Sequence, residues 1–296
     1  MNKSKIEWTD RTWNPVTGCT KVSAGCKNCY AETMYERFNG KGSFKNIICY
    51  QDRLTLPLKW KKPSMVFVNS MSDLFHENVS FSFVYDAFLM MQKCKQHTFQ
   101  ILTKRPERMV EFFNYYAQIK EPIENIWIGV SIEDQKTADE RIQYLNYIPA
   151  AVKFLSCEPL LGPVDFKKSI GDSLKWHAGG LKNCISWVIA GGESGHHARP
   201  MHPDWVISIR DQCENDGVPF FFKQWGEWTP ECSDNKSSIN KWLFVDVQNG
   251  ETCHALAAFP EKNIQHHHQL MYRAGKKKAG SLLYGTEYKN YPKTTK

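Results

Sequence analysis

Residues 65–106 read MVFVNSMSDLFHENVSFSFVYDAFLMMQKCKQHTFQILTKRP, and the order of apolar and polar runs in them decides the fold. Met65-Val66-Phe67-Val68 is a short, continuous apolar run, the pattern of a buried strand, and Asn69-Ser70-Met71-Ser72-Asp73 ends it with polar residues. Residues 81–95 then place Val84, Phe88 and Met91 on one helical face. Phe99-Gln100-Ile101-Leu102 is a second strand, ending in Thr103-Lys104-Arg105-Pro106. The fixed φ of Pro106 suits a first helical turn, so the spacing predicts a helix over 107–116. Strands joined through a helix are parallel neighbours, because parallel pairing needs a crossover connection.

The rhythm continues outward. Ile126-Trp127-Ile128-Gly129-Val130 ends in Ser131-Ile132-Glu133, with a helix expected over 137–145. Val152-Lys153-Phe154-Leu155 ends in Ser156-Cys157-Glu158-Pro159. Trp187-Val188-Ile189-Ala190 ends in Gly191-Gly192-Glu193-Ser194, before a helix at 203–215, and Phe220-Phe221-Phe222-Lys223 closes the series. At least six strands alternating with helices predict an α/β protein. The expected fold is a full or partial parallel (β/α) barrel over residues 1–230, with an open doubly wound sheet as the alternative. In both, chemistry belongs at the C-terminal strand ends. Residues 160–184 give no clear element, and 230–240 are turn-rich. Residues 241–258 read as a hairpin, WLFVDV and ETCHALA around Asn249-Gly250. Residues 231–296 are therefore expected to form a small extension on or near the barrel.

The chain has 296 residues, 42% hydrophobic and 23% charged, which excludes collagen-like and disordered classes. No apolar run approaches the roughly 18 residues a membrane span needs. The opening MNKSKIEWTDRTWNP has no apolar signal region, so a cytoplasmic location is expected. Ten cysteines, scattered apart from one group, read as reduced thiols rather than a disulfide framework. The net charge is +7, and residues 231–296 contribute ten Lys/Arg against six Asp/Glu. That excess permits a nucleic-acid partner and equally suits a solvated basic surface.

The strongest local feature is Trp13-Asn14-Pro15-Val16-Thr17-Gly18-Cys19, followed by six residues to Cys26 and two to Cys29, then Tyr30-Ala31. Three thiolates so close in sequence can bind one metal centre. A four-iron cluster on three cysteines leaves one iron open to a cofactor or substrate. The competing readings are a zinc knuckle completed by a distant His or by a fourth cysteine such as Cys157, and three unlinked thiols.

These residues carry a resemblance. NPVTGC, GCKNCYAE, SMSDLFHE, HTFQILTKRPERM, GVSIEDQ, FLSCEPLLGPV, VIAGGESG, ARPMHPDW, FFKQWGEW and GKKKAGSLLYG together resemble the phage Gp37/Gp68 family, a radical S-adenosylmethionine-related group. More distantly the chain is similar to the spore photoproduct lyase branch of radical S-adenosylmethionine enzymes. Shared features are the Asn-Pro-x-x-Gly-Cys lead-in, the final Cys-x-x-Cys with its aromatic residue, and a Thr-Lys step after the third strand. The departure is six residues, rather than three, between the first two cysteines.

The resemblance implies a [4Fe-4S] cluster on Cys19, Cys26 and Cys29, with S-adenosyl-L-methionine as cofactor. It implies reductive cleavage of that cofactor to methionine and a 5′-deoxyadenosyl radical. An electron donor such as flavodoxin or ferredoxin would supply the electron, and a nucleic-acid base or nucleotide would be the substrate. It places Ser70 and Asp73 near the methionyl amine, and Lys104 and Ser131 near the methionyl carboxylate. The competing roles for these four are helix caps and loop residues. Gly191-Gly192-Glu193 matches a cofactor-binding Gly-Gly-Glu motif, but follows a later strand than in that superfamily; a tight strand-to-helix turn is the alternative. Cys157, at a strand end, is a candidate hydrogen-atom donor or a buried structural cysteine. His196 and Arg199 are candidate substrate contacts. Arg273, Lys276, Lys277 and Lys278, with tyrosines interleaved, form a candidate phosphate-contacting surface. His266-His267-His268 reads as a solvated loop. Two non-radical alternatives stand beside this reading: a zinc-stabilised binding module without catalysis, and an enzyme that uses S-adenosylmethionine without radicals.

Overall fold

A computed structural model describes residues 4–171, 180–231, 241–254 and 268–293. Its centre is one seven-stranded sheet: β1 (Arg11–Trp13), β2 (Met65–Val68), β3 (Thr98–Thr103), β4 (Ile123–Ser131), β5 (Ala150–Cys157), β6 (Trp187–Gly191) and β7 (Phe220–Gln224). The strands are parallel and lie in strictly sequential order, as in a half-barrel. A doubly wound sheet reverses its order at a switch point, and this one does not. The fold is thus the partial parallel (β/α) barrel, with β1 and β7 as its edges.

All six apolar runs are strands. The seventh, β1, is three residues long, too short to show periodicity. It pairs with β2 in the register Arg11↔Val66, Thr12↔Phe67, Trp13↔Val68.

The chain divides into two compact units, residues 1–131 with 141–155, and residues 132–140 with 156–296. In the first, α1 (Tyr30–Asn39), α2 (Phe81–Lys93) and α3 (Pro106–Glu111) accompany the strands. The Ser80 hydroxyl accepts from the Phe83 amide and starts α2. This helix buries Phe83, Val84, Ala87, Phe88 and Met91, each worth roughly 1.5–3 kcal/mol for the larger side chains. Asn125 Nδ2 ties the end of this helix to the turn after it, donating to Met91 O at 2.8 Å and reaching the Cys94 and His97 oxygens at 3.3 and 3.2 Å.

The helix expected over 107–116 changes character midway. After Glu111 the turn widens to a π-helix, Phe112–Tyr116, closed by Ala117 N donating to Phe112 O at 2.8 Å. The wider turn lets consecutive Phe112 and Phe113 both pack on Phe88, with ring centroids 5.0 and 5.4 Å away. The helix expected over 137–145 runs from Gln135 to Arg141 and tightens to a 3-10 helix over Ile142–Tyr147.

In the second unit, α4 (Pro203–Asn215) starts as the sequence indicates, with Pro203 in its first turn and His202 Nδ1 accepting from the Asp204 amide at 3.1 Å. The link at 160–184 contains a short helix, Phe166–Ile170, capped by Asp165. A second sheet is antiparallel: β8 (Trp228–Thr229), β9 (Trp242–Asp246), β10 (Thr252–His254) and β11 (His268–Arg273), in the order β8-β11-β9-β10. The predicted hairpin is β9 and β10. Asp246 Oδ1 shapes its turn by accepting from the amides of Gln248 and Asn249. Residues 255–258 of that hairpin, the loop at 232–240, and His266 and His267 lie outside the described residues. No described helix is long and apolar enough to cross a membrane.

Candidate functional site

In the first unit the segments leaving β1, β2 and β3 meet at Cys19. Asn14 Oδ1 accepts from the Ser70 hydroxyl and the Met71 amide, both at 3.2 Å. Asn69, buried and at φ +61, donates its amide to Trp13 O at 2.8 Å. Gly18 has φ +90, and a Cβ there would lie 2.2 Å from Asn46 O, so only glycine fits before the first cysteine. Its amide donates to Met71 O, and the Cys19 amide to Phe44 O, at 3.1 and 2.8 Å. The Asn-Pro-x-x-Gly-Cys lead-in is thereby a fastening of the cysteine to the loop after β2.

Cys26 closes a 3-10 turn, Ala24–Cys26, and Cys29 immediately precedes α1. All three thiols are half-buried and free of disulfides. Cys26 is near enough to raise the thiol pKa of both Cys19 and Cys29 by like-charge repulsion. Burial is the larger cause at each. It pushes Cys19 up to about 11, with Asp73 adding to the rise and Arg105 opposing it. At Cys29 the amides of Glu32 and Ala31, at the start of α1, oppose the rise. The Tyr30 hydroxyl donates to Ser70 O at 2.8 Å, tying α1 to the loop after β2.

Arg105, to which no motif assigns a role, organises this site. Its guanidinium is 9% exposed and its five N–H groups all have acceptors. Nε donates to Glu77 Oε2 at 2.9 Å. Nη2 donates to Thr20 O and Oγ1 at 3.2 and 2.8 Å. Nη1 donates to Asp73 Oδ2 at 3.3 Å and to Cys19 Sγ at 3.7 Å. The only local sign in the sequence is a charged pair, Lys104-Arg105, directly after a buried strand.

Asp73 is equally committed. Oδ1 accepts from the Phe75 amide and the Thr103 hydroxyl, and Oδ2 from the Lys104 amide and Arg105. Those four bonds fill a carboxylate's usual acceptor positions. His76 completes the network. Its Nδ1 accepts from the Asn78 amide, so Nε2 carries the proton and donates to Thr20 Oγ1 at 2.9 Å. Burial, and then Arg105, keep its pKa below the ordinary value and the ring neutral. The structure thus brings Cys19, Ser70, Asp73 and the Lys104 backbone together. Ser131 is buried at the end of β4, its carbonyl accepting from Arg141 at 2.8 Å.

In the second unit, Cys157 is fully buried, which holds its thiol protonated far above neutral pH. Gly191 and Gly192 are packing positions: a Cβ on Gly191 would approach Glu158 Oε1 at 3.1 Å, and one on Gly192 would lie 1.9 Å from Trp225 O. Glu193 is buried and clasps Arg199, with Oε1 to Nη2 at 2.6 Å and Oε2 to Nε at 2.9 Å. Arg273 lies over the Trp228 ring and donates to the Gly195 and His196 carbonyls. Lys276, Lys277 and Lys278 are exposed on the short helix Lys276–Ala279.

The donor set fits an iron–sulfur cluster. It has three neighbouring thiols, with N–H groups directed at the sulfurs of Cys19 and Cys29. Among the described residues no three His, Cys, Asp or Glu side chains stand ready-made around one point. Loading therefore requires the 19–29 loop to draw its thiols together and release their protons.

An α/β protein of half-barrel type, with three cysteines close in sequence in the segment between its first strand and first helix, is the class these features define. The chain belongs to the family described as protein of unknown function DUF5131, whose model matches residues 3–292. No curated protein matches the chain. Among solved structures it is similar to a doubly substituted spore photoproduct lyase with bound AdoMet and dinucleoside spore photoproduct. That likeness has 11% identity and a TM-score of 0.42, covering 73% of this chain and 64% of the other, so the chain spans less than two thirds of that protein. It is also similar to a cysteine-to-serine mutant of the lyase, at 10% identity and a TM-score of 0.44, covering 85% of this chain and 69% of the other. At these values neither likeness speaks to chemistry.

Proposed function

We propose that this chain is a radical S-adenosylmethionine enzyme in which Cys19, Cys26 and Cys29 hold a [4Fe-4S] cluster. The observation that carries the reading is the convergence of three strand-end segments on Cys19, with a buried guanidinium aimed at its sulfur. Bound there, the cluster would supply one electron for reductive cleavage of S-adenosylmethionine to methionine and a 5′-deoxyadenosyl radical.

The chain's own residues bind and orient. Lys104 would pair its ammonium with the methionyl carboxylate, and Ser131 would hydrogen-bond the same group. Ser70 would face the methionyl amine. Asp73 acts through the backbone it holds: it fixes the Lys104 amide and the Arg105 fork. Gly191, Gly192 and Glu193 are assigned to the cofactor on their motif alone. Cys157 is kept as a neutral thiol, the form a hydrogen-atom donor requires.

The substrate in this proposal is a nucleic-acid base or nucleotide, met by His196 and Arg199 and by the basic residues Arg273 and Lys276 to Lys278. A flavodoxin- or ferredoxin-like protein is the electron donor. The choice of nucleic acid rests on the resemblance of the motifs to a phage group and on the basic excess of residues 231–296.

The test is anaerobic reconstitution followed by incubation with dithionite and S-adenosylmethionine. Formation of 5′-deoxyadenosine that disappears in Cys26→Ala supports the reading. Iron and sulfide incorporation with no cofactor cleavage counts against the radical activity, and zinc without iron counts against the cluster.

A further inference from the structure

Arg105 is joined to more of the site than any residue singled out by the sequence motifs. It spans the loop after Cys19 through Thr20, the loop after β2 through Asp73 and Glu77, and the end of β3 on which it sits. A guanidinium already neutralised by two carboxylates has no electrostatic need of a thiol. Nη1 nevertheless faces Cys19 Sγ as well as Asp73. The network around it is closed: Thr20 Oγ1 accepts from Arg105 and His76 and donates to Glu77 Oε1 at 3.2 Å. Asp73 and Glu77 hold the guanidinium from outside the 19–29 loop, so it keeps its place beside the first cysteine while that loop closes on a metal centre.

We infer that Arg105 is a positioning residue that sets the reduction potential of the centre held by Cys19, Cys26 and Cys29. This rests on the cluster reading above. Reduction adds one electron and makes the centre more negative. An N–H donated to a ligand sulfur, and a fixed positive charge beside it, stabilise that reduced form and raise the potential. Glu77 acts in the opposite sense. It grips Nε at 2.9 Å and brings a negative charge to the same network, holding the potential below what Arg105 alone would give.

The pair makes the inference testable without activity as the readout. Arg105→Gln, Arg105→Lys and Glu77→Gln are each reconstituted anaerobically and titrated with dithionite against redox dyes, with the reduced cluster followed by electron paramagnetic resonance. Arg105→Gln is expected to make the cluster about tenfold harder to reduce, about 59 mV lower for one electron. Arg105→Lys keeps the charge but not the fork, and should recover part of that loss. Glu77→Gln is expected to shift the potential upward. Glu77 is 57% exposed, so this variant folds even where an Arg105 substitution does not.

Opposite signs for the two residues cannot come from loosened packing, which would move both variants the same way. Unchanged potentials, or shifts of the same sign, overturn the inference. Failure of the parent protein to assemble any reducible cluster would instead count against the cluster reading itself, so the two failures are distinct.

Discussion

Arg105 Nη1 and Cys19 Sγ lie 3.7 Å apart although 86 positions separate them in the chain. The contact exists because β1, β2 and β3 run parallel and in sequential order, so that the segments leaving all three strands emerge at the same end of the sheet. Asp73 completes the geometry by pairing with the guanidinium at 3.3 Å, the two side chains 8% and 9% exposed.

Breaking that pair should be costly. Asp73→Ala strands a buried guanidinium, the Thr103 hydroxyl and the Lys104 amide together. The expected loss is about 3–5 kcal/mol, read as a lower midpoint in urea unfolding of the metal-free protein. A loss below about 1 kcal/mol would mean that water replaces the carboxylate, and that the network is looser than described.

The Gly191-Gly192 step should tolerate no side chain at its second position. In Gly192→Ala the new Cβ meets the Trp225 carbonyl at 1.9 Å, so β6 and the segment after β7 must move apart. Destabilisation of about 1–3 kcal/mol is expected. Gly195→Ala, with φ +109 but nothing within 4 Å, should cost only the backbone strain. Thermal unfolding of the two variants separates them; equal melting points would contradict the packing role.

Stability should fall as the solution is acidified below the ordinary histidine range. Burial keeps the pKa values of His97 and His202 below 6.5 in the folded chain. Between the folded and unfolded values the unfolded chain binds more protons, so stability is full above about 6.5 and is lost as pH falls through the folded pKa. Urea midpoints at pH 5.5 and 7.5 read the slope. His202→Asn keeps a capping side chain at α4 and should flatten it; an unaltered slope would mean that His202 does not contribute.

The exposed lysines of 276–278 make the nucleic-acid reading quantitative. Binding of single-stranded DNA or RNA should weaken steeply with salt, and Lys276→Ala with Lys277→Ala should lower the log–log slope by up to about 2. Binding that ignores salt, or none at low salt, would point to a small-molecule substrate.

Legibility in the sequence is confined to features with a local signature. The six apolar runs are strands because parallel strands covered on both faces read as nearly continuous apolar stretches. The helix expected at 203–215 is present with those bounds, Pro203 standing in its first turn. The three cysteines are legible in the sequence only as a spacing along the chain. The hidden features depend on distant partners. The three residues of β1 are a strand only because Met65–Val68 pairs with them. The π-turn at 112–116 answers the position of Phe88. Arg105 looks like one of many surface cations, because nothing near it in sequence foretells a buried fork between Asp73, Glu77 and Thr20. The same holds for Asp73, where the motif suggests a free carboxylate and the fold supplies it with four donors.

Everything proposed for the chemistry depends on Cys19, Cys26 and Cys29 together holding an iron–sulfur cluster. Metal and sulfide analysis of the anaerobically reconstituted chain, beside its three single Cys→Ala variants, decides this. About four iron and four sulfide per parent chain are expected, with loss of the reducible cluster signal in each variant. Stoichiometric zinc without iron or sulfide in the parent, or a full cluster in any one variant, would contradict it.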